Sequence, residues 1–146
     1  MIKEVTYLFG DEAIRIYKNG DVEFLKNDRL HNDKGPSVIT NSGSVKYFRN
    51  GKLHNDEGPA IIRPDGSWRW YRRGRLHRDD GPAAYYSIGM FVWYKNGRLH
   101  NEYGPAVFYG DGSQCFFLKG KKLNIKSVRG LKNKLKSYYI EQIMNS

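Results

Sequence analysis

The chain has 146 residues, with 25 Lys and Arg against 15 Asp and Glu, 14% aromatic residues and one cysteine. This length favours a single domain, and the aromatic content excludes an intrinsically disordered chain. One cysteine excludes an internal disulfide, no apolar run approaches the roughly 20 residues that span a bilayer, and no basic-then-apolar leader opens the sequence. We therefore expect a cytoplasmic protein.

A 23-residue period runs through most of the chain. The dipeptide Leu-His recurs four times at this step, and Gly-Pro follows it each time. The Leu-His pairs are Leu30-His31, Leu53-His54, Leu76-His77 and Leu99-His100, and the Gly-Pro pairs are Gly35-Pro36, Gly58-Pro59, Gly81-Pro82 and Gly104-Pro105. A fixed period of this size indicates structural units that stack on one another.

Each unit reads as two short strands joined by a tight turn. One strand follows Gly-Pro, from Pro59 to Arg63, and the other runs from Trp68 to Arg72. Asp65-Gly66 between them predicts a type I′ turn, whose two central residues both need positive φ. The pattern predicts a mostly β fold: a single-layer array of about five antiparallel hairpins, about 45–50 Å long, with a C-terminal helix.

The repeat resembles a known family. Its aromatic-x-x-Asn-Gly-Lys-Leu-His wording, followed by Gly and then Asp-Gly, resembles the MORN repeat from about Ile14 to Leu123. The departure from the common form, His-Asn-Asp-x-Gly-Pro-Ala, resembles repeats of large viruses and bacteriophages and of certain bacterial antitoxin-like proteins. The resemblance implies serial β-hairpins, a protein partner and no shared catalytic residue.

From this resemblance we expect a non-enzymatic protein–protein interaction module. Its specific form would be a virus- or phage-encoded factor, acting in the host cytoplasm, that binds and inhibits a host defence protein. An antitoxin-like neutraliser is the other form that the resemblance implies.

The repeated histidines suggest a metal site, but their spacing argues against one. His31, His54, His77 and His100 occupy equivalent positions in successive units, two strands or about 10 Å apart. Ligands of a shared zinc lie within about 4 Å of one another. We therefore predict no metal, and expect each histidine to fix its own turn by bonding backbone or Asp.

No catalytic motif stands out elsewhere. Cys115 falls in a strand, in the position that Arg69 and Val92 occupy in other units, and nothing marks a base beside it. No phosphate-binding glycine loop or paired-cysteine motif is present. The sequence predicts no enzyme activity, no cofactor and no small-molecule substrate.

An aromatic stripe is the predicted partner-binding surface. Alternation places one residue of each second strand on a common face, beside Lys46. The predicted partner-binding residues are Phe48, Arg69, Tyr71, Tyr94 and Phe117. An exposed stripe would bind a peptide or stack nucleic-acid bases, whereas a covered stripe would be core; the sequence leaves both open.

The last segment, residues 124–146, is predicted to be a separate basic amphipathic helix after the repeat array of residues 1–123. Its apolar stripe is Ile125, Val128, Leu131, Leu135 and Tyr138, interrupted by Gly130. The predicted basic surface is Lys121, Lys122, Lys126, Arg129, Lys132, Lys134 and Lys136. With Lys119 these are eight cations with no acid among them, which leaves 17 basic residues against 15 acidic ones elsewhere.

This tail has two readings that are compatible with each other. Its apolar stripe would cap the open end of the array. Its cations would bind an acidic partner: nucleic acid, an anionic membrane surface or an acidic protein. The alternative function is accordingly a nucleic-acid-binding protein that uses the tail and the aromatic stripe.

Overall fold

Nineteen short strands and one helix follow each other in the computed structural model, which describes residues 4–145. Residues 1–3 and 146, which the predicted division included, lie outside the described part. The strands pair antiparallel as successive hairpins, and the helix comes last. The predicted mostly β array of antiparallel hairpins with a C-terminal helix is therefore confirmed.

A main sheet runs the length of the array, with its strands joined almost entirely in chain order and with β4 beside β3. Its strands are β1 (Glu4–Phe9), β2 (Glu12–Tyr17), β3 (Val22–Lys26), β4 (Arg29–Leu30), β5 (Val38–Ile39), β6 (Val45–Lys46), β9 (Ile61–Ile62), β10 (Trp68–Arg69), β13 (Ala84–Tyr86), β14 (Met90–Val92), β17 (Val107–Phe108), β18 (Gln114–Leu118) and β19 (Lys121–Leu123). The sheet is open, with β1 at one end and β19 at the other.

The second strand of each middle unit is divided, which the sequence did not predict. Its first part stays in the main sheet, and its second part forms a separate two-stranded hairpin. These hairpins are β7 (Phe48–Arg49) with β8 (Lys52–Leu53), β11 (Tyr71–Arg72) with β12 (Arg75–Leu76), and β15 (Tyr94–Lys95) with β16 (Arg98–Leu99). With the β3–β4 and β18–β19 ends they form what we call the short-hairpin row.

An aromatic residue stands at each division. The backbone N–H of Trp70 donates to the carbonyl of Ala83 in the next unit, at 2.6 Å. The carbonyl of Trp70 accepts from the N–H of His77 in the short hairpin, at 3.2 Å. One residue thus bonds to both layers, and Ala83 beside it is fully buried. Tight packing around Ala83 therefore explains why a small residue follows Gly-Pro.

The two turns of a unit differ, although the sequence predicts the same kind of tight turn at Asp65-Gly66 and at Arg73-Gly74. In the Asp65-Gly66 turn only Gly66 has positive φ, and the bonds Gly66 N–H to Arg63 O and Arg63 N–H to Ser67 O define a three-residue loop. In the short-hairpin turn both Arg73 and Gly74 have positive φ, at 51° and 80°. The type I′ prediction was therefore wrong for the Asp-Gly turn, and its geometry belongs to the turn between β11 and β12.

The two faces of the main sheet differ in exposure. On the inner face, the paired residues include Val38, Ile61, Ala84, Val92 and Val107, all buried. Tyr94, Leu99 and Phe117 of the short-hairpin row pack against the last three. The core therefore lies between the main sheet and the short-hairpin row.

The helix α1 (Val128–Met144) covers the last hairpin. Leu131 is fully buried against Phe116 and Leu123, with Leu135 beside them. Ser127 caps the first turn by accepting from the N–H of Gly130 at 3.2 Å, so the helix begins four residues after the predicted boundary. The side chain of Tyr138, part of the predicted stripe, lies outside the described residues.

Candidate functional site

Each histidine ring links two neighbouring units. Its Nδ1 accepts a hydrogen bond from a backbone N–H 19 residues further along the chain, at 2.9–3.1 Å. The donors to His31, His54, His77 and His100 are Asn50, Arg73, Asn96 and Lys119. A backbone amide only donates, so Nδ1 is the acceptor in each of these four bonds.

The second ring nitrogen bonds to a carboxylate two residues further on. Nε2 of His77 lies 3.0 Å from Asp79, and the other three rings repeat this contact. The partners of His31, His54 and His100 are Asp33, Asp56 and Glu102, at 2.9, 3.0 and 3.3 Å. Each histidine therefore fixes its own loop, as predicted, and also holds the next unit's turn, which was not predicted.

These contacts lower the pKa of Asp33, Asp56 and Asp79. The hydrogen bond from His31 holds the pKa of Asp33 below its usual value. For Asp79, desolvation raises the pKa, but bonds from His77 and Arg72 outweigh it and leave the pKa low. Asp56 shows the same balance with Arg49 and His54. These three aspartates are thus held in their charged form.

An asparagine closes the loop that follows each histidine, except at one position. The side chain of Asn55 donates to the carbonyl of Pro59 at 3.1 Å and accepts from the N–H of Glu57. Arg78 takes this position in the next unit, and its guanidinium lies 4.3 Å from the centre of the Trp70 ring. Contacts within the loop therefore explain the recurring His-Asn-Asp-x-Gly-Pro motif.

This geometry leaves the histidines little chemistry to perform, since both nitrogens of each ring are engaged. Within residues 4–145, no three His, Cys, Asp or Glu side chains are grouped as a metal site requires. Cys115 is a half-buried free thiol in β18, opposite Val107. No helix in the described part of the chain is long and apolar enough to cross a membrane.

The structure brings the predicted partner-binding residues together on the inner face. Phe48, Tyr71 and Tyr94 each pair with a leucine of their own short hairpin, and Phe117 pairs with Lys122. All four aromatic side chains are half-buried. Tyr94 and Phe117 contribute to the packing between the two layers, and the capacity of the stripe to bind a partner stays a prediction.

Two contacts define the surroundings of this stripe. The guanidinium of Arg69 lies 5.1 Å from the centre of the Tyr86 ring, on the same face as Ala84. Burial raises the pKa of Tyr94, and the nearby phenols of Tyr86 and Tyr71 act in the same direction. Tyr94 thus lies in a partly desolvated environment.

The sequence did not predict which apolar residues would be left uncovered. A ladder of ten side chains crosses the opposite, outer face of the main sheet, and none of them is buried. Its members, in pairing order, are Val5, Ile16, Val22, Ile39, Val45, Ile62, Trp68, Tyr85, Phe91 and Phe108. Alternation alone signalled that these residues share a face, but not that the face is open.

The predicted basic residues of the tail are all exposed. Lys121, Lys122 and Lys134 line a hollow of about 650 Å³ between the last hairpin and the helix, together with Lys119 and apolar side chains such as Leu135. Lys126, Arg129, Lys132 and Lys136 lie on or just before the helix. The tail therefore both covers the array's end through Leu131 and presents cations to solvent.

The fold and these contacts define the chain as an open array of stacked β-hairpin repeats, with histidine links between units and a terminal helix. Comparison with models of known protein families gives no match. Comparison with curated proteins gives no significant match either.

Proposed function

We propose that this chain is a non-enzymatic protein-binding module that docks a partner protein on the outer face of its main sheet. The observation that carries the proposal is the ten-residue ladder from Val5 to Phe108. Ile16, Ile39 and Ile62 remain 38–39% exposed within it, and Val5 is 52% exposed. Contiguous apolar surface left open to solvent marks interaction sites.

The composition of the ladder favours a protein as its occupant. Trp68, Tyr85 and Phe91 lie side by side, with ring centres 5.9 and 4.7 Å apart in successive pairs. Trp and Tyr carry much of the binding energy at protein interfaces, because they bury a large area with few rotatable bonds. The ladder crosses nine strand spacings, about 43 Å, which is long enough for an interface of standard size.

The histidine geometry supports a non-enzymatic role, since the residues best suited to acid–base chemistry are engaged as links between units. On the resemblance of the repeat wording, we further propose a MORN-like protein of viral or phage origin. Its partner would be a host protein that it inhibits in the host cytoplasm, or a toxin that it neutralises.

A matched pair of variants tests the docking face. We expect W68S with F91S to weaken binding of the purified partner about 30-fold or more, because two buried aromatic contacts are lost. The control is I88S with Y103S, which removes apolar side chains that are 77% and 87% exposed but lie off the ladder. The full-length chains would first capture a partner from the native host, and calorimetry would then measure affinity.

Three results would contradict this proposal. Equal affinities for the ladder variant and the wild type would exclude the outer face. Loss of binding in R69A, with the ladder variant unaffected, would assign the site to the inner aromatic stripe instead. Size-exclusion chromatography of the chain alone must also give a monomer, because self-association through the ladder would make a second copy its occupant.

A further inference from the structure

The short-hairpin row carries cations directly opposite one another. Lys26 pairs with Arg29, and the next three hairpins repeat this arrangement. The other pairs are Arg49 with Lys52, Arg72 with Arg75, and Lys95 with Arg98. Like charges directly opposite in antiparallel strands are destabilising. The folded chain therefore holds four such pairs at a cost in stability.

Stacking aligns one cation of each pair into a column. The N–H of Gly51 donates to the carbonyl of Leu30 at 2.9 Å, so each hairpin is fixed in register on the one before. A Cβ placed on Gly51 would lie 3.7 Å from the Cβ of Arg29, and the following glycines meet Lys52, Arg75 and Arg98 in the same way. We call Arg29, Lys52, Arg75, Arg98 and Lys121 the cation column.

The column is exposed and only partly neutralised. Its five members are all exposed. Arg49 and Arg72, beside it, form ion pairs with Asp56 and Asp79 at 2.9 and 3.1 Å. Within the described residues, no carboxylate lies within ion-pair distance of Lys52, Arg75 or Arg98. The repeat body is nearly neutral as a whole, but its cations are therefore concentrated in one strongly positive strip.

The column also borders a concave surface. A hollow of about 730 Å³ between successive hairpins is lined by five cations and one carboxylate. The cations are Arg29, Arg49, Lys52, Arg72 and Arg73, and the carboxylate is Asp56. At the other end Lys121 belongs both to the column and to the hollow beside the helix, with Lys122 and Lys134. The body strip and the basic tail are thus one continuous track.

We propose that this track binds the phosphate backbone of a nucleic acid. Successive column cations are about 10 Å apart, two strand spacings, so the five span about 40 Å. A regular row of cations fits a polymer whose charge is regular along its length, and 40 Å corresponds to about 12 base pairs of duplex. The track lies off the outer ladder, so the proposal is independent of protein docking there.

The test is fluorescence anisotropy with the full-length chain, using a 20-base-pair DNA duplex and a 20-nucleotide single strand. Five phosphate contacts on duplex predict a slope of log affinity against log salt of about −4.5, or about a 500-fold loss of affinity between 50 and 200 mM salt. The two probes distinguish paired from unpaired backbone as the source of the phosphates.

Variants matched in charge locate the contacts. R75Q with R98Q removes two column cations and is expected to lower the slope by about 2 and to weaken binding at least tenfold at 100 mM salt. K18Q with R63Q removes two exposed cations from the main-sheet turns, off the track, and should leave the slope unchanged. K121Q with K122Q should lower the slope by about 1 for the loss of Lys121, and by up to about 2 if Lys122 extends the track into the tail.

The proposal fails if neither probe binds at 50 mM salt, or if the two double variants R75Q/R98Q and K18Q/R63Q weaken binding equally. It also fails if polyglutamate or vesicles of phosphatidylserine and phosphatidylcholine bind more tightly than either nucleic acid, since the track would then serve another polyanion. Circular dichroism and the urea midpoint of each variant verify that the array remains folded.

Discussion

The Nδ1 atom of His77 accepts a hydrogen bond from the backbone N–H of Asn96 at 3.0 Å, and this bond joins two neighbouring repeat units. Asn96 has a φ of 51°, so the bond also holds a residue in the left-handed region that the short-hairpin turn requires. The His77 side chain is only 5% exposed. The link is therefore shielded from water, and it holds Asn96 in a backbone conformation that residues other than glycine rarely adopt.

Replacing His77 tests this link. We expect H77A to lower the free energy of unfolding by about 1–3 kcal/mol, because it leaves the Asn96 N–H without its acceptor and removes the bond to Asp79. Urea unfolding followed by circular dichroism gives the value, and K34A, in an exposed loop position, is the control. A change below about 0.5 kcal/mol in H77A would show that water replaces the ring at no cost.

The carboxylates beside the histidines predict acid sensitivity. The pKa of Asp79 in the folded chain lies below its unfolded value of about 3.8, so the unfolded chain binds more protons in this range and stability rises with pH. This contribution is complete above about pH 5 and is lost as pH falls through the folded pKa.

We expect D79N to be less stable than the wild type at pH 7 and to lose less stability between pH 5 and pH 3. Urea unfolding at several pH values measures both differences. Because Asp33 and Asp56 are shifted in the same direction, the wild-type dependence should persist in reduced form. Parallel pH profiles for D79N and the wild type would falsify the role assigned to this carboxylate.

Gly110 is required for close approach between two main-sheet turns. A Cβ on Gly110 would lie 2.5 Å from the carbonyl oxygen of Ile88, which is backbone and cannot rotate away. We expect G110A to cost about 1–3 kcal/mol of unfolding free energy through overpacking. G35A is the control, because its new Cβ would meet only the Asn32 side chain at 3.8 Å. Equal midpoints in a thermal scan would count against this crowding.

The helix is predicted to stabilise the last unit in particular. Leu131 is fully buried against Phe116 and Leu123, so L131A should cost about 2–5 kcal/mol locally. In a stacked array each unit contacts its neighbours, so hydrogen exchange should accelerate in residues 114–123 and change little in residues 45–76. K132A is the exposed control. Uniform acceleration along the chain would show that the array unfolds as one unit.

The sequence by itself determined the repeat, the hairpins and the terminal helix. Glycine at each turn, Gly-Pro before each first strand and two-residue alternation are local signals that each act within one unit. The same local logic placed each histidine beside its own Asp or Glu. It failed at the Asp65-Gly66 turn, because the length of the loop, rather than the dipeptide, decided which turn took two positive φ values.

Only the tertiary structure decided which contacts form between neighbouring units and which surfaces they cover. The division at Trp70, the bond from Asn96 to His77 and the crowding at Gly110 all depend on how one hairpin sits on the next. So does the exposure of the two sheet faces, since packing of the short-hairpin row covers the inner one. The cation column likewise depends on the unpredicted division of each second strand, which separates the short hairpins from the main sheet and leaves these cations exposed.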